Sequence, residues 1–289
     1  TAQQHLPVTT LENLTATALK EWPSTALQDC KDGKIVSFQG MTHYELQQSD
    51  LKLVSMPYAA IGGVVLVVLV IFSVSKLPNT SQTGTDHDVQ FGSTVKRLFT
   101  NPMYVGGVIA QTFYVGAQIM TWTFIIQYAE NELGIDKATA QNFNIMAMVI
   151  FLLSRFIFTF FLKYISPSNL LLSLSVGAIL FTLGAIYLQG LTGLYSLVLI
   201  SACMSLMFPT IYGMALDGVG EDAKLGSAGL IFAIVGGALM TRIQGQVLDL
   251  ESFMGTTATR GSFFLVALCF VIIAIYAFIV AQHKKKISV

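Results

Sequence analysis

The chain has 289 residues, of which 54% are hydrophobic and only 11% are charged, and its mean hydropathy is +0.67. This composition excludes an ordinary soluble protein with a solvated surface, and the formal net charge of zero gives no electrostatic case for a nucleic-acid partner. A helix needs about 20 apolar residues to cross a membrane. Seven stretches meet this requirement, at residues 58–76, 101–127, 139–163, 169–189, 193–214, 225–248 and 261–281.

The chain begins with a polar segment, residues 1–57. Two capping-box patterns, Thr9 to Glu12 and Thr42 to Glu45, each predict the start of a short helix. The first residue is Thr, and no basic region followed by an apolar core marks a signal peptide. We interpret this beginning as a cut or a gap, and we expect the segment to lie outside the cytoplasm.

The apolar stretches are unevenly distributed along the chain. Residues 58–76 are almost uniformly aliphatic, which predicts a lipid-facing supporting helix. Residues 77–100, rich in Pro, Asn, Ser, Thr and Gly, are predicted to be a cytoplasmic linker. Six closely spaced stretches follow within residues 101–281, and residues 282–289 form a basic tail. One span, a linker and six more spans would suit the end of a twelve-span protein built from two six-span halves.

The basic residues indicate the orientation of the chain. We assume that the C-terminus is cytoplasmic and that the spans alternate in direction. The outer loops of the last six spans then contain only two basic residues, Lys137 and Arg260. The inner side then carries most of the positive charge, which satisfies the positive-inside rule. The residues on that side are Lys76, Lys96, Arg97, Lys163, Lys224 and Lys284 to Lys286.

Several kinds of chemistry have no residues to support them. No Asp or Glu lies in the middle third of any apolar stretch, although a proton-coupled pump normally needs a membrane-buried carboxylate. Cys203 and Cys269 lie inside apolar stretches and are predicted to be core residues rather than a disulfide framework. No Ser-His-Asp set or phosphate-binding Gly loop is found, so we expect no enzyme, cofactor or metal site. The histidines all lie outside the apolar stretches, at His5, His43, His87 and His283.

Four polar or aromatic side chains share one face of the stretch at 101–127. Gln111, Tyr114, Gln118 and Trp122 are spaced by three, four and four residues, which places them on a narrow stripe. Primary amides are costly to bury in hydrocarbon without partners, so this face should meet another helix or a wet cavity. Amides that bond to hydroxyls and an indole that covers a ring would suit a sugar. The alternative is hydrogen bonding between packed helices.

A second stripe occurs in the stretch at 193–214. Its members are Ser201, Ser205, Phe208 and Tyr212, and Pro209 interrupts the hydrogen-bond ladder beside them. Phe208 and Tyr212 are therefore candidate ligand contacts, and Pro209 is a candidate hinge or gating residue. Prolines are also frequent in membrane helices without such a role.

Two arginines are further candidates. Arg242 shares a face with Gln246 and Asp249 and could reach a ligand or Asp249, or could extend to the membrane interface instead. Arg155 lies in the inner half of its stretch and is interpreted as a cytoplasmic gate residue that pairs with Asp217, or with Glu221 or Asp222. An unpaired Arg155 that extends to the interface is the alternative. Asn142 completes the candidate ligand contacts.

Short motifs in a fixed order resemble one known family. The resemblance extends from about residue 58 to the end of the chain and is to the L-fucose permeases, in the fucose-galactose-glucose:proton symporter branch of the major facilitator superfamily. It rests on Ala110-Gln111, Tyr114 to Gln118, Trp122, Tyr128-Ala129, Ser154 to Phe156, Phe208 to Ile211, Asp222 to Lys224, Gly226-Ser227 and Gly236-Gly237.

The resemblance implies a twelve-helix, alternating-access sugar:proton symporter in the bacterial inner membrane. The chain would supply the sixth span and the C-terminal six-helix half, with the sugar held between the two halves. The acidic residues of proton coupling would belong to the N-terminal half, which would be this chain's partner.

Three positions depart from the family pattern. Phe208 stands where Tyr is typical, Arg242 stands where some members have Pro, and Gln127 replaces a basic residue. Fucose is the first choice of substrate, and galactose, glucose or an amino sugar remains an alternative. From another class, a seven-span receptor or scaffold would explain the spans but not two polar stripes.

Overall fold

The computed structural model describes residues 43–74 and 91–287. The chain divides into two units, residues 1–85 and 86–289. The described part of the first unit is one helix, α1 (His43–Val74), and the helix start predicted at Thr42 lies outside the described residues. Its apolar part, Ser55–Ile71, has exposed side chains throughout. The other predicted helix start, at Thr9, lies outside the described residues.

The second unit is helical apart from one short hairpin within residues 91–287, so the prediction of an all-α membrane fold is confirmed. Its elements in chain order are α2 (Phe91–Thr100), α3 (Pro102–Leu133), α4 (Lys137–Phe161), α5 (Pro167–Tyr187), α6 (Leu191–Met204), α7 (Met207–Leu216), a 3-10 turn (Gly220–Asp222), α8 (Ala223–Phe232), α9 (Val235–Leu248), β1 (Ser252–Phe253), β2 (Thr256–Thr257), α10 (Ala258–Gly261) and α11 (Phe263–Ile287).

Six stretches of this unit are long and apolar enough to cross a membrane. The first three are the single helices α3, α4 and α5. The fourth joins α6 to α7, the fifth joins the 3-10 turn to α8 and α9, and the sixth joins α10 to α11. Their bounds are Pro102–Leu133, Lys137–Phe161, Pro167–Tyr187, Leu191–Leu216, Gly220–Leu248 and Ala258–Lys286.

Local chemistry explains where the first two spans begin and end. The Asn101 side chain accepts hydrogen bonds from the amides of Met103 (3.0 Å) and Tyr104 (3.3 Å), and Pro at the first helical position needs no partner. α3 continues to Leu133, beyond its predicted end at 127, and stops at Gly134, whose φ of 65° is left-handed. The Asp136 carboxylate then caps α4, and hydrogen bonds from Thr139 lower its pKa below the usual value.

Two of the six spans are broken near their middle. The fourth span is interrupted at Ser205 and Leu206, because Pro209 has no amide hydrogen to bond the Ser205 carbonyl. The break therefore falls where the proline predicts it. The fifth span is interrupted at Ala233 and Ile234, just before the Gly236-Gly237 pair.

α3 is the central helix of the six-span unit. It contacts α4, α6, α7, α9 and α11, while α5 packs against α6 and α11. The buried core includes the predicted core residues Cys203 and Cys269. The second and fifth spans are the least enclosed, with 17% and 28% of their apolar windows buried, compared with 67% of the fourth. Within the unit, α4 and the α8–α9 pair therefore present free faces.

The structure adds helical segments at the polar ends of the spans. Residues 91–100, expected to be linker, form α2, because Leu98 packs into a small core with Tyr104, Ala215 and Leu230. The expected basic tail, from residue 282, continues α11 as far as Ile287.

Candidate functional site

α3 places Tyr114, Gln118 and Trp122 on three successive turns of one face, as the sequence predicts. Consecutive members are about 6 Å apart along the helix axis, because each residue advances the helix by roughly 1.5 Å. Gln118 is half-buried, and its amide has no hydrogen-bond partner among the described residues. It lies between two groups of aromatic rings, each of which combines one ring of α3 with rings from a neighbouring span.

The first group is centred on Trp122 and joins three helices. The Trp122 indole Nε1 donates a hydrogen bond to Ser201 Oγ on α6, at 3.2 Å. On its other side, the Trp122 ring meets the Phe151 ring of α4 edge-on, with centroids 5.2 Å apart and an angle of 82°. The indole is therefore held in a fixed orientation while the residue remains partly exposed.

The second group is centred on Tyr114 and Phe208. The Tyr114 hydroxyl donates to the Met204 carbonyl at 3.0 Å. Met204 is the last residue of α6, where carbonyls lose their partners within the helix, so the break in the fourth span creates this acceptor. The Phe208 ring lies edge-on to Tyr114, at 6.1 Å, and is stacked with the Tyr212 ring at 6.4 Å and 12°.

We call these five rings, Tyr114, Trp122, Phe151, Phe208 and Tyr212, the aromatic cluster. Four of its members are partly exposed, and Tyr114 is completely enclosed. The accessible surface therefore combines one free primary amide, Gln118, with ring faces on either side of it. Such a surface can bond to hydroxyl groups and cover apolar C–H faces, and the aromatic cluster brings no carboxylate to it.

Arg155 lies one helical turn from Phe151 on α4, so it is next to a member of the aromatic cluster. It is exposed and forms no ion pair with any described residue. The structure thus brings Arg155 to the edge of the aromatic cluster.

The loop acids proposed as partners of Arg155 are paired elsewhere. Asp217 binds Lys284 Nζ at 2.7 Å, and Asp222 binds Arg97 through two hydrogen bonds of 2.6 and 2.8 Å. The Asp222 carboxylate raises the pKa of Arg97 above its ordinary value. The predicted gate pairing is therefore wrong for these two acids, because cations on α2 and α11 end beside the loop.

Gln111 departs from the rest of its stripe. Its side chain is completely buried, and neither its amide nitrogen nor its amide oxygen has a partner among the described residues. The Tyr276 hydroxyl of α11 is likewise buried and unpartnered, and it packs against Gly107, one turn from Gln111. Gln111 is thus inside the six-span unit and does not open onto the surface that carries Gln118.

The remaining candidate contacts lie on the less enclosed spans. Asn142 on α4, and Arg242 and Gln246 on α9, are all exposed. None of the three is hydrogen-bonded to the aromatic cluster in the described part of the chain, and Arg242 does not form the ion pair with Asp249 that its spacing allowed. The described residues also contain no group of His, Cys, Asp or Glu side chains that could hold a metal.

Sequence reasoning missed Phe151 and Tyr276. Phe151 is one of several aromatic residues in its apolar stretch, so nothing in the pattern distinguished it. Tyr276 is the only tyrosine in its apolar stretch, residues 261–281, which is a detectable signal.

Comparisons with known proteins agree on one family, although no protein-family model matches the chain. The chain is 48% identical to the L-fucose-proton symporter of Haemophilus influenzae over 235 residues, or 81% of the chain and 54% of that protein. It is 32% identical to the Escherichia coli L-fucose-proton symporter, over 78% of the chain and 51% of that protein. A putative glucose/galactose transporter of Helicobacter pylori is 28% identical over 70% of the chain and 48% of its own length. The chain spans about half the length of these curated relatives.

Comparison of the fold with solved structures indicates the same family. A crystal structure of a major facilitator superfamily transporter in the outward conformation superposes with a TM-score of 0.70, at 28% identity, over 93% of this chain and 60% of its own. A structure of the E. coli fucose:proton symporter gives the same score and identity. Six apolar spans, the aromatic cluster and these matches lead to one conclusion: the chain belongs to the L-fucose permease branch of the major facilitator superfamily.

Proposed function

We propose that this chain is the C-terminal, sugar-contacting part of a sugar:proton symporter, and that L-fucose is the substrate. The observation that carries the proposal is the free amide of Gln118 between the Trp122–Phe151 and Tyr114–Phe208 ring pairs. The names of the two relatives at 48% and 32% identity support the choice of fucose and of proton coupling.

The roles of the site residues follow from their exposure and contacts. Gln118 would bond to sugar hydroxyls, and Trp122 and Phe208 would cover the ring. Tyr212 supports Phe208 by stacking and is itself partly exposed. Gln111 and Tyr114 are enclosed, so we assign them to the support of this surface rather than to direct contact.

The exposed polar residues need a partner surface. Asn142, Arg242 and Gln246 would face a preceding six-span half that completes the sugar cavity and supplies the acidic residues of proton coupling. The free faces of α4 and of the α8–α9 pair support this arrangement, because an exposed arginine within a span is costly against lipid. Arg155 and Pro209 would take part in the rocking of the two halves, and Asp217 would anchor the end of the fourth span through Lys284.

We also propose how the chain lies in the membrane. Residues 58–76 would be the sixth span of the complete protein, residues 77–100 the connection between halves, and residues 101–281 the C-terminal half. The basic ends at Lys163 and Lys284 to Lys286 would be cytoplasmic, in a bacterial inner membrane. In this proposal the chain has no catalytic role.

Galactose or glucose is the second candidate substrate. The resemblance to glucose/galactose transporters favours it. Competition of unlabelled galactose and glucose against labelled fucose uptake distinguishes the two substrates.

The test of the site is Gln118→Ala in the full-length protein. The Gln118 side chain has no protein partner, so its removal leaves no orphaned group and should hardly change folding. Losing one or two hydrogen bonds to sugar, each about 1 kcal/mol, should raise the apparent KM for uptake by roughly five- to thirtyfold. The measurement is initial uptake of labelled L-fucose, normalised to the amount of protein in the membrane.

Gln127→Ala is the matched control. Gln127 is on the same helix, exposed, and nine residues away, which places it on the opposite face. Its loss should leave uptake unchanged. The site assignment fails if both variants transport equally well, or if Gln118→Ala loses uptake only in proportion to its loss of expression.

A further inference from the structure

A cavity of about 570 Å³ opens between the beginning of α5 and the end of α11, on the side of the unit that carries Lys163 and Lys284. It is separate from the aromatic cluster and shares no residue with it. Ser166, Ser168 and Asn169 line it from α5, while Phe278, Gln282 and Lys285 line it from α11. These two helices pack directly against each other, so the cavity lies where both end at one edge of the membrane.

The start of α5 leaves hydrogen-bond donors uncapped in this cavity. Ser166 occupies the N-cap position, but its side chain makes no capping hydrogen bond. Pro167 has no amide hydrogen, and the first amide bonded within the helix is that of Leu170, to the Ser166 carbonyl. The amides of Ser168 and Asn169 therefore have no partner among the described residues. Free amides at the beginning of a 21-residue helix attract an anion.

A second observation indicates a ligand at the same place. Ser168 is 97% buried, yet it lines the cavity, and its hydroxyl has no hydrogen-bond partner in the described part of the chain. The hydroxyl oxygen of Ser168 remains accessible although the residue is almost enclosed, so beside two uncapped amides it can donate to an acceptor supplied from outside the chain.

The charge and polarity of the walls identify the kind of acceptor. Lys285 adds positive charge at the rim, beside Lys284, which also lines the cavity and is paired with Asp217. Below this polar rim the wall is apolar, with Leu172 on α5 and the exposed ring of Phe278 on α11. A free anion would gain no binding energy from an apolar wall. A phospholipid can place its phosphate at the rim and its acyl chains along such a surface.

We propose that this cavity, which we call the α5–α11 site, binds the phosphate group of an anionic phospholipid. The Ser168 and Asn169 amides and the Ser168 hydroxyl donate to the phosphate oxygens. Lys285 supplies charge, and the acyl chains lie against Phe278 and Leu172. The chemistry recognised is a phosphate oxyanion, and the membrane is its source.

The test is native mass spectrometry of the full-length protein titrated with phosphatidylglycerol, phosphatidylcholine or inorganic phosphate. We expect phosphatidylglycerol to saturate the site, phosphatidylcholine to bind more weakly and inorganic phosphate to bind weakest. Ser166→Asp places a carboxylate over the free amides, which caps the helix and repels the phosphate. It should weaken phosphatidylglycerol binding by roughly tenfold while the melting temperature stays at or above that of the parent protein.

Two further variants complete the design. Lys285→Gln should weaken phosphatidylglycerol binding several-fold without altering the start of α5. Lys163→Gln, a matched loss of one exposed cation at the same membrane edge but outside the cavity, should leave it unchanged. Unaltered binding by both Ser166→Asp and Lys285→Gln would overturn the proposal. If Lys163→Gln weakened phosphatidylglycerol binding equally, the binding would be an effect of general surface charge and the proposed site would be wrong. If inorganic phosphate saturated the site at the same affinity as phosphatidylglycerol, the ligand would be a free anion and not a lipid.

Discussion

Three glutamines of this chain show how the position of a side chain decides its role. Gln118 is half-buried with a free amide, Gln111 is enclosed without a partner, and Gln244 is enclosed and donates to Ser262 Oγ at 3.0 Å. Their intrinsic chemistry is the same. Only Gln118 can exchange water for a ligand, because only its amide is accessible and uncommitted.

Glycine at position 236 determines how closely two spans approach. A Cβ at Gly236 would overlap the carbonyl oxygen of Thr112 on α3, a backbone atom that cannot move away. Gly236→Ala should therefore push α9 from α3 and destabilise the protein by about 1–3 kcal/mol. The measurement is the melting temperature of the purified protein in detergent.

Gly245→Ala is the control on the same helix. A Cβ at Gly245 would meet nothing within 4 Å, so this change should be neutral, or stabilising by about 0.5–1 kcal/mol through the helix preference of Ala. If Gly236→Ala melts no lower than Gly245→Ala, close packing of α3 and α9 is not what position 236 requires.

At the scale of an element, the fourth span combines a break with a binding surface. Its interruption leaves the Met204 carbonyl to accept from Tyr114, and Tyr114 in turn contacts the Phe208 ring that follows the break. The irregular backbone thus fixes one side of the aromatic cluster. A regular helix would satisfy the same carbonyls internally and would release the Tyr114 hydroxyl.

Pro209→Ala tests whether the break serves transport. The substitution restores an amide that can bond the Ser205 carbonyl, so the span should become more regular and more stable, by up to about 3 kcal/mol. We expect fucose uptake to slow while the melting temperature rises, and both are measured on the full-length protein. Faster or unchanged uptake in a more stable variant would show that the interruption is not needed for movement.

At the scale of the molecule, exposure is distributed unevenly over the six spans. α5 and α11 pack together, whereas α4 and the α8–α9 pair keep free faces that carry Asn142, Arg242 and Gln246. Polar side chains on a free face suit contact with water or with another half of a transporter, and they suit lipid poorly.

Cysteine labelling tests this distribution in the full-length protein, in a background where Cys30 is replaced by Ser. Cys203 and Cys269 are buried and need no change. Arg242→Cys should react with a membrane-impermeant charged thiol reagent, and saturating L-fucose should slow the reaction. Ile275→Cys on α11 is the control, because Ile275 is 54% exposed on an apolar surface and should be unreactive. Matching reactivity of the two cysteines would place α9 against lipid.

The sequence alone determined the class of protein and the helices, because hydropathy over about 20 residues reports directly on membrane spanning. It also determined that Tyr114, Gln118 and Trp122 share a face, and that Pro209 breaks its span, since helix periodicity and the missing proline amide are local properties. Only the tertiary structure separated Gln111 from Gln118, placed Phe151 beside Trp122, and paired Asp217 with Lys284. Those outcomes depend on how far each face is covered by helices distant in the chain, which no local pattern contains.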